Sequence, residues 1–241
     1  MNRAVLGGLP VDLLTPETVR ERIGQWLARP ERSYQVVTLN ALMVMAAEKH
    51  PELRRAIATA DLVVIDGIGI SRALRRGGVF PPPRYRGVDL VRDLLAHASW
   101  VNRSVYFYGA SRPVLDRLRA IAVERWPGIR IAGMWDGYRP EDARSDILAK
   151  RPDILLAALG TPRQELFLAS VLKELPGTVG IGVGGSFDVL AGMKQEAPLL
   201  LQAAGMEWLF RMVREPARLA KLPDLARFWA KYVLLGRGSE G

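Results

Sequence analysis

The sequence contains no cysteine and only two histidines among its 241 residues. The absence of cysteine excludes disulfide scaffolds, thiolate zinc sites, iron–sulfur clusters and cysteine nucleophiles, and it is typical of a reducing compartment. The two histidines, His50 and His97, are too few for a histidine-built metal site. We therefore expect no metal site, and no segment of the chain predicts a cofactor.

Long apolar runs are also absent. No run approaches the roughly 20 residues that a membrane-spanning helix needs. The N-terminal residues are briefly apolar, but Pro10 and Asp12 interrupt them too early for a secretory signal. Basic residues outnumber acidic residues by 34 to 25, and the net charge of +9 favours nucleic acid, an anionic membrane or a phosphorylated substrate as partner. We expect a cytoplasmic protein, or one attached to a membrane from its cytoplasmic side.

Short apolar runs alternate with longer amphipathic stretches, the pattern of βαβ units around a parallel sheet. The runs that predict strands are 34–39, 62–65, 104–108, 129–132, 154–159 and 179–183. The stretches that predict helices are about 15–28, 41–59, 68–76, 88–100, 112–125, 141–149 and 163–174. The expected fold is α/β, with a Rossmann-like parallel sheet flanked by helices.

The composition changes after about Pro198, where aromatic residues interleave with arginines and lysines and no β-type run follows. We expect a Rossmann-like domain over residues 1–197 and a helical appendage over residues 198–241. Pro216 and Pro223 divide the appendage into short helices.

Polar residues and glycines follow the predicted strands at their carboxyl ends, where open parallel sheets bind ligands. These residues include Thr38, Asn40, Asp66, Gly109, Asp136 and Gln164. Two other interpretations compete at this stage: Asp66 as a helix N-cap, and Gln164 with Glu165 as an ordinary acidic helix start. The segment 180–185 fits the dinucleotide pattern G-x-G-x-x-G, but its first glycines fall inside a strand, which disfavours a nicotinamide cofactor. Walker A, Gly-x-Ser-x-Gly and Asp-x-Asp motifs are absent from the sequence.

Ordered segments through nearly the whole chain resemble the WecG/TagA/CpsF glycosyltransferase family. The segments that carry the resemblance are Thr38-Leu39-Asn40, residues 60–69 (ADLVVIDGIG), residues 84–90 (RYRGVDL), Phe107-Tyr108-Gly109-Ala110, Trp135-Asp136-Gly137-Tyr138, residues 160–165 (GTPRQE), residues 182–188 (GVGGSFD), and residues 205–211 (GMEWLFR) with 215–218 (EPAR). One departure is Glu196, which stands before Ala197-Pro198 where the family usually has a basic residue. A carboxylate there is expected to repel a diphosphate.

The resemblance implies inverting, metal-independent transfer of a hexose, of the N-acetylmannosamine or glucose type, from a UDP-sugar to a polyprenyl-diphosphate-linked sugar. Such a reaction belongs to the assembly of a surface polysaccharide or a teichoic-acid linkage. The sequence does not select the sugar, the acceptor or the oligomeric state, and self-association through the appendage stays open.

The resemblance also implies roles for single residues. Asp66 matches the proposed catalytic base, and Arg84 matches an arginine that stabilises the diphosphate or orients the sugar. Thr38, Asn40 and Gln164 match residues of the substrate pocket, and Gly109 and Asp136 are weaker candidates for it.

The appendage is expected to contact the acceptor and an anionic membrane. Its cations are Arg211, Arg214, Arg218 and Lys221, and its interfacial rings are Trp208, Phe210, Phe228, Trp229 and Tyr232. In the alternative, these rings pack on the α/β body. Two further functions compete with glycosyl transfer: a non-catalytic nucleotide- or phosphate-binding module, and a single-stranded nucleic-acid binder. No nucleic-acid-binding motif supports the second, so no nucleic-acid partner is expected.

Overall fold

The structure is a computed structural model that describes residues 2–138, 140–236 and 239–240, with the side chains of residues 140, 141, 211, 216–218, 239 and 240 excepted. Its strands are β1 (Arg3–Leu6), β2 (Leu9–Asp12), β3 (Tyr34–Leu39), β4 (Leu62–Ile65), β5 (Ser104–Gly109), β6 (Arg130–Trp135), β7 (Ile154–Ala158), β8 (Val179–Gly182) and β9 (Ser239–Glu240). Its helices are α1 (Pro16–Ala28), α2 (Ala41–Lys49), α3 (Pro51–Ala58), α4 (Ile68–Arg76), α5 (Gly87–Trp100), α6 (Arg112–Arg125), α7 (Pro140–Lys150), α8 (Arg163–Val171), α9 (Ser186–Leu190), α10 (Leu199–Ala203), α11 (Glu207–Arg214) and α12 (Leu222–Phe228).

The centre of the molecule is a six-stranded parallel sheet in the order β4-β3-β8-β7-β5-β6. Helices α1, α5, α6 and α9 pack on one face, while α2, α3, α4, α7 and α8 pack on the other. Because most of these strands are buried on both faces, they appear in the sequence as continuous apolar runs. The predicted α/β fold and its six strands are confirmed.

An N-terminal hairpin was not predicted. Strands β1 and β2 pair antiparallel across Gly7 and Gly8, which both have positive φ, and β9 adds a third strand. Asp12 fixes this small sheet to the large one, because its buried carboxylate binds Arg3 and accepts a 2.8 Å hydrogen bond from the backbone N–H of Val63. The Gly-Gly pair between two four-residue segments was the available hairpin signal.

The stretch predicted as one helix over 41–59 is two helices. Helix α2 ends at Lys49, and α3 begins at Pro51, which lacks the N–H that a continuous helix would require there.

The C-terminal segment continues as short helices, as predicted. Helix α11 ends before Glu215, a 3₁₀ turn spans Pro216–Lys221, and a π-helical turn spans Trp229–Leu234 after α12. The prediction that Phe228 and Tyr232 face a membrane is wrong, because they are 0% and 1% exposed in the core beside α2 and α4. For these two rings, the alternative of packing on the body is the correct one.

Candidate functional site

A cavity of about 260 Å³ lies at the carboxyl ends of β3, β4 and β8. The helix after β3 packs on one face of the sheet, and the helix after β8 packs on the other. A crevice therefore opens between these neighbouring strands, the usual ligand site of an open parallel sheet. Residues of the C-terminal helices complete its wall. The polar and charged lining residues are Thr38, Asn40, Asp66, Arg84, Arg86, Thr161, Gln164, Ser186, Glu196, Glu207 and Lys221.

Asp66 follows β4 and is half-buried in the cavity wall. Its Oδ1 accepts a 2.6 Å hydrogen bond from the backbone N–H of Gly87, the first residue of α5. Amide groups at a helix N-terminus stabilise negative charge. The N-cap of α4 is Gly67, so the alternative that Asp66 caps this helix is wrong. A carboxylate fixed in this way can accept a proton from a hydroxyl group in the cavity.

Thr38 and Asn40 lie at the end of β3. Thr38 Oγ1 donates a 3.1 Å hydrogen bond to the carbonyl oxygen of Gly182, which links the two strands that border the crevice. Asn40 Oδ1 accepts a 3.1 Å hydrogen bond from the backbone N–H of Met43 and so caps α2. Because the cap uses the amide oxygen, Asn40 can offer a ligand its N–H donors.

Gln164 lies in the first turn of α8 and is 3% exposed. Its Oε1 accepts 3.1 Å hydrogen bonds from the backbone N–H groups of Gly160 and Gly184, which belong to the loops after β7 and β8. Its Nε2 donates a 2.7 Å hydrogen bond to Glu165 Oε1. Gln164 therefore lies both in the first turn of a helix and in the lining of the cavity. We call the lining residues Thr38 and Gln164, together with their hydrogen-bond partners Gly182 and Glu165, the floor of the cavity.

Glu165 is a residue that sequence reasoning passed over. It is 1% exposed, and burial raises the pKa of its carboxyl group despite the hydrogen bond from Gln164. The sequence carried no separate signal of its burial, because a glutamate in the first turn is equally typical of a solvated helix start.

Arg84 and Arg86 extend from the loop before α5 toward the C-terminal helices. Arg84 forms an ion pair with Glu207 and donates a 2.6 Å hydrogen bond to the backbone oxygen of Gln202. Arg86 binds Asp89 and the side-chain oxygen of Gln202. Both arginine side chains are mostly buried, at 18% and 20% exposure. Sequence reasoning singled out only Arg84, although Arg86 lines the same wall.

Glu196 also lines this wall. Its carboxylate forms ion pairs with Arg92 and, at 3.3 Å, with Arg86. Instead of lying free to repel a ligand, this carboxylate therefore neutralises cations of the cavity wall. We call residues 196–221 the cover of the cavity, because this segment contributes the charged lining residues Glu196, Glu207 and Lys221.

The four cations predicted for the appendage do not share one setting. Lys221 lines the cavity. Arg214 is exposed, with its guanidinium 5.5 Å from the ring of Phe210. The side chains of Arg211 and Arg218 lie outside the described residues.

Gly109 and Asp136 are not among the residues that line the cavity. They end β5 and follow β6, at the opposite edge of the sheet from β4. Gly109 has a φ of +113°, and a Cβ there would lie 2.4 Å from the carbonyl oxygen of Ala158, so close strand packing explains this glycine. Asp136 Oδ1 accepts a 3.0 Å hydrogen bond from the N–H of Tyr138, which is a turn contact.

Helix α11 has two different faces. Trp208 and Met212, four residues apart, line the cavity. Leu209 and Val213, also four residues apart, are 38% and 74% exposed on another face. The other exposed aliphatic side chains of the cover are Leu199, Leu200, Met206 and Leu219.

Within the described residues, no helix is long and apolar enough to cross a bilayer. The same residues contain no cluster of three or more acidic or histidine side chains that could hold a metal ion.

Comparison with protein-family models matches residues 4–238 to the Glycosyl transferase WecG/TagA/CpsF family. Among curated proteins, the N-acetylglucosaminyldiphosphoundecaprenol N-acetyl-beta-D-mannosaminyltransferase of Bacillus spizizenii (strain ATCC 23059 / NRRL B-14472 / W23) is 32% identical over 195 residues. The aligned part is 80% of this chain and 76% of that relative. The family match includes every residue that lines the cavity.

Proposed function

Because this chain belongs to the WecG/TagA/CpsF glycosyltransferase family, we propose that it transfers a hexose from a UDP-sugar to a polyprenyl-diphosphate-linked sugar. The enzyme class itself follows from the family and from the curated relative. The name of that relative makes N-acetylmannosamine the first hexose to test and N-acetylglucosaminyl-diphosphate-polyprenol the first acceptor. The observation that carries the proposal is a carboxylate held by a helix N-terminus beside two arginines in one crevice.

The chemistry assigned to Asp66 is that of a general base. Its carboxylate takes the proton of an acceptor hydroxyl group as that oxygen bonds to the anomeric carbon of the donor sugar. The bond from this carbon to the diphosphate oxygen breaks on the opposite side, so the anomeric configuration inverts and UDP leaves. The 2.6 Å hydrogen bond from Gly87 holds the base in place during this displacement.

Arg84, Arg86 and Lys221 can supply the positive charge that the departing diphosphate needs. In the structure, however, Glu207 and Glu196 pair with the two arginines. A bound diphosphate would have to replace these carboxylates on the guanidinium groups. Because cationic side chains can stabilise the leaving group, we expect transfer to persist in EDTA.

We propose that the exposed aliphatic side chains of the cover contact the membrane that holds the acceptor. Leu199 and Leu200 are 80% and 84% exposed, and the exposed Val213 is followed by the exposed cation Arg214. An apolar patch beside cations is the usual pattern of a peripheral membrane contact. We assign the protein to the inner face of the cell membrane and residues 198–241 to an appendage that completes the site of a body formed by residues 1–197.

The test is a transfer assay with purified protein, a panel of UDP-hexoses and a short-chain polyprenyl-diphosphate-N-acetylglucosamine acceptor. We expect one UDP-sugar to give a lipid-linked disaccharide with inverted anomeric configuration, at the same rate in EDTA. Donor binding without any transfer across the panel would instead support a non-catalytic binding module.

A further inference from the structure

The floor of the cavity contains a buried carboxylate that the proposed displacement does not use. Glu165 is next to Gln164 in the chain. Both residues are buried, with exposures of 1% for Glu165 and 3% for Gln164. Of these two residues, only Gln164 is among those that line the cavity. In the described part of the chain, Glu165 Oε2 is buried without a hydrogen-bond partner, so the protein keeps a costly group at this point.

The hydrogen bonds around Gln164 show what this carboxylate does. A primary amide can rotate by 180° about its last bond and exchange its oxygen and nitrogen. Gln164 Oε1 faces two backbone N–H groups, from Gly160 and Gly184, which can only donate. Gln164 Nε2 faces Glu165 Oε1, which in the ionised state can only accept. The three contacts therefore favour one orientation of the amide.

One hydrogen-bonding position of the amide then remains for a ligand, and it is an N–H donor. The oxygen has used both of its lone pairs on backbone groups, and one of the two hydrogens is bound to Glu165. We infer that Glu165 is a positioning residue, which orients the Gln164 amide so that it presents an N–H donor to an acceptor oxygen of the bound substrate.

Gly182 shows how tightly the pair is packed. A Cβ at this position would lie 2.8 Å from Gln164 Nε2 and 3.1 Å from Glu165 Oε1. Gly182, the second glycine of the sequence pattern 180–185, thus makes room for the Gln164 amide and the Glu165 carboxylate. Two further hydrogen bonds fix the backbone of Glu165 and Gly182. Gln35 Nε2 donates to the backbone oxygen of Glu165 at 3.1 Å, and Thr38 Oγ1 donates to the backbone oxygen of Gly182.

The inference rests on the proposed function for its kinetic test but not for its spectroscopic test. The variants are E165Q, which keeps an acceptor oxygen, and E165M, which is similar in size and has none. The Gln164 side-chain NH₂ signal of ¹⁵N-labelled protein, assigned by its loss in Q164A, reports the hydrogen bond directly. E174M is the matched control, because Glu174 is an exposed glutamate just after α8.

We expect the Gln164 NH₂ signal to show one downfield, exchange-protected hydrogen in the wild type and in E165Q, and to lose this feature in E165M. In the transfer assay, E165M should lower kcat/KM about tenfold, the scale of one lost buried hydrogen bond. E165Q and E174M should stay within about threefold of the wild type. In a Q164A background, adding E165M should cause no further loss.

Three results would overturn the inference: an unchanged Gln164 signal in E165M, a kcat/KM for E165M equal to the wild type, or an equal loss from E165M with and without Gln164. If E165M does not fold, the wild-type spectrum decides, because two equivalent and rapidly exchanging hydrogens on Gln164 would contradict the contact. If no UDP-sugar is transferred, the proposed function fails while the spectrum still tests the positioning role.

Discussion

The floor and the cover of the cavity are both polar, but different contacts hold them. On the floor, Gln164 is 3% exposed and binds two backbone N–H groups. In the cover, Glu207 is held by an ion pair with Arg84, and Glu196 by ion pairs with Arg86 and Arg92. Hydrogen bonds to the backbone of a packed sheet cannot change unless the strands and their loops move. Ion pairs can exchange one anion for another, so the comparison indicates a fixed recognition surface beneath an adjustable, charged one.

The largest effect is expected at the base. Replacing Asp66 by Asn keeps an oxygen that can accept from Gly87 but removes proton uptake, so kcat should fall by about 10²–10⁴-fold with little loss of stability. Transfer assays and thermal unfolding measure the two quantities. D116N is a matched control on the exposed side of α6. A folded D66N protein that transfers at the wild-type rate would remove Asp66 from the mechanism.

The next effect concerns the outer surface of the cover. Changing both Leu199 and Leu200 to Ser should weaken binding to anionic vesicles by about tenfold or more, because each exposed leucine contributes on the order of 1 kcal/mol when it enters the interface. Co-sedimentation at low and high salt measures this partition. The double change V123S/V101S, at exposed valines of the body, is the control. Equal vesicle binding by all three proteins would contradict the membrane contact.

A smaller effect separates the arginine from its carboxylate partner. R84A should lower kcat and raise the KM for the UDP-sugar, with a loss in kcat/KM of about tenfold, because Arg84 binds the diphosphate and stabilises it as it departs. E207Q should instead lower that KM by a few-fold, because the diphosphate no longer competes with a carboxylate for Arg84. Steady-state kinetics with varied donor gives both values. A rise in KM for both variants would show that Glu207 supports the site rather than competing for it.

The smallest effect is a pH dependence of stability. Burial raises the pKa of Glu165 in the folded protein, so the folded state binds the proton more tightly than the unfolded chain. Wild-type stability from this group is therefore greatest below the ordinary glutamate pKa and is lost as the pH rises through the raised pKa. E165Q has no such proton, so its free energy of unfolding should improve relative to the wild type across that interval. Urea unfolding at a series of pH values measures the difference, and parallel pH curves would refute it.

The fold was largely predictable because the strands of the central sheet are short apolar runs that begin and end sharply. The polar residues of the cavity that lie at or after the ends of β3, β4 and β7 were also predicted, since a polar side chain after a strand is visible in sequence. Which of these residues lie close together in space was not predicted, because the order of the strands along the chain does not give their order in the sheet. Gly109 and Asp136 also follow strands, yet β5 and β6 lie at the far edge of the sheet from β4.

Packing of the C-terminal segment was harder to predict. Phe228 and Tyr232 have the spacing of an interfacial stripe, but the core beside α2 and α4 buries them. The exposed apolar side chains of the cover, among them Leu199, Leu200 and Val213, carry no sequence signal of exposure. Glu196 was expected to repel a diphosphate, whereas its ion-pair partners Arg86 and Arg92 are distant in sequence and meet it only in the fold.

The most direct test of the account is an experimental structure with UDP bound. We expect the diphosphate on Arg84 and Arg86, with Glu207 and Glu196 displaced from them. The hydrogen bonds of Gln164 to Gly160, Gly184 and Glu165 should be unchanged. A diphosphate bound outside the crevice, or a rearranged floor beneath intact arginine–glutamate pairs, would contradict it.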